Sequence, residues 1–132
     1  MSTNAGIIRK LYSDFQQGRV EAILEVCAEG TTWLIPGAPA LPYAGAHHGK
    51  AAVGAFFATL GATLEITDFT PQNYVQEGEW VWVDGQYAGR NRAGPGQFQS
   101  SWAHRWKLRA GQVLELRDHF DTLAVAQALG RR

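Results

Sequence analysis

The sequence predicts an α+β fold: three N-terminal helices followed by a run of antiparallel strands. Two observations carry this. Up to about residue 60, apolar side chains recur at helical spacing. From residue 64 onward they alternate, in runs separated by glycine-bearing turns. The 132 residues suit one domain with a core of its own, with no internal repeat, linker or low-complexity segment, so 1–132 reads as a single domain.

The first helix is expected over 5–17, where Ile7, Ile8, Leu11, Tyr12 and Phe15 share a face and Gly18 provides a stop. A second, over 20–28, gathers Val20, Ile23, Leu24 and Cys27. Residues 31–35 read as a short strand ended by Pro36. The stretch 36–49 holds three prolines, with Gly37, Gly45 and Gly49, and reads as a long loop suited to a pocket rim or lid. A third helix turns Val53, Phe56, Phe57 and Leu60 inward and stops at Gly61. Strands are expected over 64–69, 72–76, 79–90, 97–108 and 112–120. Gly78, residues 93–96 and Ala110-Gly111 form the turns between the later ones, and 123–130 forms a closing helix.

Composition excludes several functions. Twelve basic and twelve acidic residues give a formal net charge of zero, so no basic face exists for nucleic acid or an anionic membrane. A single cysteine, Cys27, precludes an internal disulfide; on a helix face with no basic neighbour it reads as core rather than nucleophile. No apolar run is long enough to span a membrane and no signal-peptide pattern opens the chain, so a cytoplasmic protein is expected. His47 and His48 lack further ligands at metal-binding spacing, and the glycines do not form a phosphate loop; neither a metal nor a cofactor is expected. The five Trp, six Phe and four Tyr either fill a large core or line a pocket for a flat apolar ligand.

Chemistry concentrates on the last two strands. Phe98, Ser100, Trp102, His104, Trp106 and Leu108 share one parity, which places His104 on an aromatic face between two tryptophans. On the next strand Leu114, Leu116, Asp118 and Phe120 share a parity, and Asp118 breaks the apolar row. A buried carboxylate needs a partner or a shifted pKa. His104 and Asp118 lie nearly symmetrically about the Ala110-Gly111 turn, so antiparallel pairing brings them together. An imidazole and a carboxylate in one apolar pocket suit proton transfer; the alternative is hydrogen-bonded structure. Asp121 reads as the cap of the last helix. His119 faces solvent or an oligomer contact. The parity of Trp80 and Trp82 stays open, because Val81 and Val83 suit the inside equally well.

Four segments taken in order resemble a known group. They are IRKLYSDFQQGRVEAIL, TTWLIPG, PYAGAHHGKAAVGAFF and AGQVLELRDHFD. Together they resemble the SnoaL-like polyketide cyclases of the nuclear transport factor 2-like and ketosteroid isomerase-like superfamily. The resemblance implies a cone-shaped, curved antiparallel sheet packed on the three N-terminal helices and enclosing an apolar pocket at its concave face, and a homodimer through the convex face. It puts Tyr12 where ketosteroid isomerases hold the substrate oxygen, and Ile35 near the place of their carboxylate base. His104 and Asp118 reproduce the histidine and aspartate of the cyclases. RDHFD also resembles limonene epoxide hydrolase, but the further Arg and Asp of that enzyme fall near Gly85 and Tyr87, which disfavours epoxide hydrolysis. The implied function is acid–base chemistry on a small hydrophobic carbonyl compound, an aldol cyclisation or isomerisation. Asp118, His104 and Tyr12 would be catalytic. Trp33, Tyr43, Phe56, Trp102, Trp106, Leu116 and Phe120 would form the ligand-binding wall. The competing expectation is a hydrophobic-ligand-binding protein of the same fold.

Overall fold

A computed structural model describes residues 3–131. Its elements run α1 (Asn4–Gln16), α2 (Val20–Glu25), β1 (Cys27–Ile35), β2 (Gly45–His48), α3 (Gly49–Thr63), β3 (Leu64–Glu77), β4 (Trp80–Asn91), β5 (Gln97–Arg109), β6 (Gln112–Phe120) and α4 (Thr122–Ala128). The six strands form one sheet in the order β2-β1-β6-β5-β4-β3. The expected α+β class holds, with two corrections to the sheet. It is mixed rather than wholly antiparallel, because β1 and β6 run parallel. The 36–49 stretch is not all loop: its last residues form β2, with Gly45 opposite Ile35 and His48 opposite Thr32.

Local chemistry accounts for the helices. Thr3 caps α1 by accepting from the Gly6 amide at 2.9 Å, and Ile8, Leu11 and Tyr12 are buried along one face. Asp121 caps α4 as expected, accepting from the Ala124 amide at 2.9 Å. Helix α2 ends earlier than predicted, because the Val113 amide captures the Val26 carbonyl at 2.7 Å and Cys27 enters the sheet beside Val113. Gly61 does not stop α3, which continues to Thr63. A glycine in right-handed helical geometry costs only about 1 kcal/mol, so it stops a helix only where the chain also turns.

The expected strands 64–69 and 72–76 are one edge strand, β3, interrupted by two register shifts. Pro71 is tolerated there because an edge strand has an unpaired side. The two shifts explain the curvature of the sheet. Each faces a glycine on β4: Ile66 pairs with Gly89, and Pro71 with Gly85. Each glycine pairs in turn with an aromatic on β5, Gly89 with Phe98 and Gly85 with Trp102. A Cβ at Gly85 would lie 2.6 Å from the Trp102 ring and 2.3 Å from the Thr70 carbonyl oxygen. A bulge, a bare backbone and a ring crossing it thus recur twice, and bend the sheet toward the helices. The outer parity is settled on β4. Val81 and Val83 are buried, whereas Trp82 is 49% exposed, so Trp80 and Trp82 face outward.

Candidate functional site

Strands β5 and β6 meet through a two-residue turn in which Ala110 and Gly111 both adopt positive φ. The register of that hairpin sets His104 directly opposite Asp118. One irregularity intervenes between Lys107 and Leu108, and it shifts the parity so that Val113, not Leu114, is fully buried. The row Leu116, Asp118, Phe120 is unaffected and lines the concave side.

A chain of contacts runs through the core. The Trp106 indole N–H donates to the Tyr12 hydroxyl oxygen at 2.8 Å. The Tyr12 oxygen lies 2.8 Å from His104 Nδ1, and His104 Nε2 lies 3.0 Å from Asp118 Oδ1. Proton counting orders it. Trp106 can only donate, and among the described residues the Tyr12 O–H has no other acceptor, so with a neutral imidazole its proton goes to His104 Nδ1. Nδ1 is then an acceptor, and the imidazole proton sits on Nε2, facing Asp118. Burial pushes the Tyr12 phenol well above its ordinary pKa, partly offset by the Trp106 hydrogen bond, so the phenol keeps that proton. The final link differs in kind: the Nε2–H is not aligned with Asp118 Oδ1, which stays buried without a formed hydrogen bond. The attraction there is one of proximity, and it leaves the carboxylate acceptor capacity to spare.

These groups face a cavity of about 90 Å³. All ten residues expected at the site border it: Asp118, His104 and Tyr12, with Trp33, Tyr43, Phe56, Trp102, Trp106, Leu116 and Phe120. Ile35 is there too, as an apolar wall. Several liners were not foreseen. Phe69 stacks on Trp102 at 4.8 Å and 3°, and Phe15 and Phe57 complete the helix side. The β3 register shifts hide Phe69 from any alternation pattern. Tyr87 also lines the cavity, and could have been found once Trp82 is known to face outward, since it shares parity with Val81 and Val83.

The electrostatics are sparse. Among the described residues no lysine or arginine lines the cavity. The Tyr43 and Tyr87 phenols are both raised, by burial first and then by nearby charge that includes Asp118. The indole N–H groups of Trp33 and Trp102 are buried without partners. His47 bonds the Tyr43 carbonyl oxygen and His48 the Thr32 hydroxyl, both through β2. Among the described residues no group of three His, Cys, Asp or Glu is placed to hold a metal. No helix is long and apolar enough to cross a membrane.

Comparison with known proteins agrees with this architecture. A family model described as a SnoaL-like domain matches residues 8–116. No curated protein matches the chain. Among solved structures, an NTF2-like protein from Burkholderia xenovorans LB400 is 32% identical, with a TM-score of 0.86 over 96% of this chain and 95% of that one. A Rhodopseudomonas palustris protein provisionally assigned as an isomerase is 22% identical, with a TM-score of 0.78 over 93% of each chain. A Xanthomonas campestris pv. campestris protein provisionally assigned as a polyketide cyclase is 15% identical, with a TM-score of 0.77 over 95% of each. The last two share the fold alone. The chain therefore belongs to the SnoaL-like domain family, built on the NTF2-like fold.

Proposed function

We propose that this protein catalyses proton transfer on a small hydrophobic carbonyl compound, as an isomerase or an aldol-type cyclase, with Asp118 as the base. One observation carries the reading: the Asp118 carboxylate borders an apolar cavity, and among the described residues its one polar side-chain contact is His104 Nε2, 3.0 Å from Oδ1. A purely structural carboxylate would be satisfied by the protein, because an unpaired buried acceptor costs about 1–3 kcal/mol. In the reaction, the ionised carboxylate takes a proton from the carbon α to a carbonyl. The C–H electron pair becomes the enolate, with its charge on the carbonyl oxygen. In a conjugated substrate the enolate regains the proton from Asp118 at a more distant carbon, an isomerisation; otherwise it attacks a second carbonyl, and the alkoxide so formed takes the proton back from Asp118, an aldol closure. The apolar wall excludes water and strengthens each polar contact.

Under this reading Tyr12 and His104 change part. Tyr12 was expected to hold the substrate oxygen and His104 to be catalytic, but the proton of Tyr12 is directed to His104 and that of His104 toward Asp118. They are positioning residues that fix the carboxylate, and Trp106 anchors them. The competing reading, a hydrophobic-ligand-binding protein, draws support from the lack of any cationic group in the lining.

Exchange of the α-protons of 1-indanone in D₂O, followed by NMR, separates the two. The enzyme reading expects exchange above the buffer rate, and Asp118→Asn to slow it by about 10²–10⁴-fold with indanone binding retained. Saturable binding without accelerated exchange, across indanone, tetralone and cyclohexenone, would leave the binding protein as the reading to keep.

A further inference from the structure

With Tyr12 and His104 committed, an enolate formed at Asp118 needs other donors for its oxygen. We propose that Tyr43 and Tyr87 together form the oxygen-binding site, and that the ligand they select is an electroneutral ketone. The inference rests on the assignment of the cavity as the reaction site and names the groups that complete it.

Placement carries the argument. In the strand order, β6 with Asp118 lies between β1 on one side and β5 and β4 on the other. Tyr43 approaches from the β1 side: it precedes Gly45, which pairs with Ile35 at the end of β1. Tyr87 approaches from β4, its ring 6.0 Å from that of Phe120, which shares the face of Asp118 two residues on. The two tyrosines thus reach the cavity that Asp118 lines from opposite sides of β6. Among the described residues neither hydroxyl has a hydrogen-bond partner, whereas the Tyr12 hydroxyl has two. Tyr43 is 3% exposed, and both tyrosines line the cavity. Burial keeps both phenols protonated, and each registers the charge of Asp118, while Tyr87 also registers Tyr43. Two neutral donors can hold a carbonyl oxygen and the negative charge that grows on it. With no cation in the lining and a carboxylate present, a ligand that arrives as an anion finds no counter-charge.

The test reads oxygen binding without turnover. Tryptophan fluorescence titration gives dissociation constants for 1-indanone and for indane, its analogue without the oxygen. Difference infrared spectroscopy gives the C=O stretch of the bound ketone. The wild type is expected to bind indanone about tenfold more tightly than indane, with the C=O band below its position in hexane. Tyr43→Phe and Tyr87→Phe should each return part of that band shift, and the double variant should remove both the shift and the affinity ratio. Each single variant reports independently if the other fails to fold. Asp118→Asn should keep the band shift while losing α-proton exchange, so failure of the base assignment and failure of the tyrosine assignment are told apart. A C=O band unchanged by both tyrosine substitutions, or no saturable binding of indanone, would overturn the proposal. Binding of indane-1-carboxylate as tight as that of indanone would overturn its neutral-ligand part.

Discussion

Strands β5 and β6 carry two acid–base contacts on opposite faces, and the pair is instructive. On the convex face Arg105 meets Glu115 at 2.8 Å, with the two side chains 28% and 29% exposed. On the concave face His104 meets Asp118 at 3.0 Å, with 10% and 15% exposed. The outer contact stands in a crowded surface: Arg105 lies opposite Arg117, and its guanidinium sits 4.8 Å over the Trp80 ring. Water and other charges screen it. The inner contact ends a relay that begins at Trp106, and every member depends on the next. One residue step along a strand therefore separates a nearly interchangeable ion pair from a carboxylate held ready for a ligand.

The contrast is broken most strongly by deleting a ring. Trp106→Ala, at a 1% exposed position, should cost about 3–5 kcal/mol in denaturant unfolding. Lys107→Ala, the next residue and facing the Trp80 ring from outside, should stay within about 1 kcal/mol. Equal losses would mean that the two faces do not differ as described.

Alkaline titration sharpens the same point. Tyr12 and Tyr43 have folded-state pKa values raised above the ordinary 10.0. Their contribution is fully present below pH 10.0 and is lost as pH rises toward the folded values, because only the unfolded chain releases these protons. Stability should fall above that pH by about 1.4 kcal/mol per pH unit for each buried phenol. Cys27, raised from 9.0 to about 11, adds to the loss between those values. Melting curves from pH 8 to 11 check this, and Tyr43→Phe should make the decline shallower.

Tyr12→Phe should come next, at about 1–3 kcal/mol, since it strands both the Trp106 N–H and His104 Nδ1. It should also slow α-proton exchange while leaving the indanone affinity nearly unchanged, the mark of a positioning group. Glu115→Gln on the outer face should cost less than about 1 kcal/mol and leave exchange unaltered.

Much of this arrangement was legible from residue order. Alternation on β5 put His104 among indoles, and the Ala110-Gly111 turn put it opposite Asp118, because period-2 side-chain placement and a two-residue hairpin leave little freedom. What escaped involved departures from that regularity. The β3 register shifts concealed Phe69, and β2 formed within a proline- and glycine-rich stretch because β1 offered it an edge. Leu114 lost its expected place to Val113 at an irregularity that no spacing announces. The relay itself needed a residue from α1, and no local pattern links Tyr12 to His104 across 92 positions. Gly85 was noted for the charged residue it lacks; its structural meaning, room for the Trp102 ring, emerged only from packing.

The central claim is that the relay commits the protons of Tyr12 and His104 and leaves Asp118 to meet a ligand. Long-range ¹H–¹⁵N correlation spectra of the imidazole, with His104→Gln for assignment, test it most directly. The account predicts that neutral His104 carries its proton on Nε2, with Nδ1 unprotonated, and that Tyr12→Phe disturbs this tautomer. A proton on Nδ1 in the wild type would reverse the relay, free the Tyr12 hydroxyl for a ligand and contradict the account.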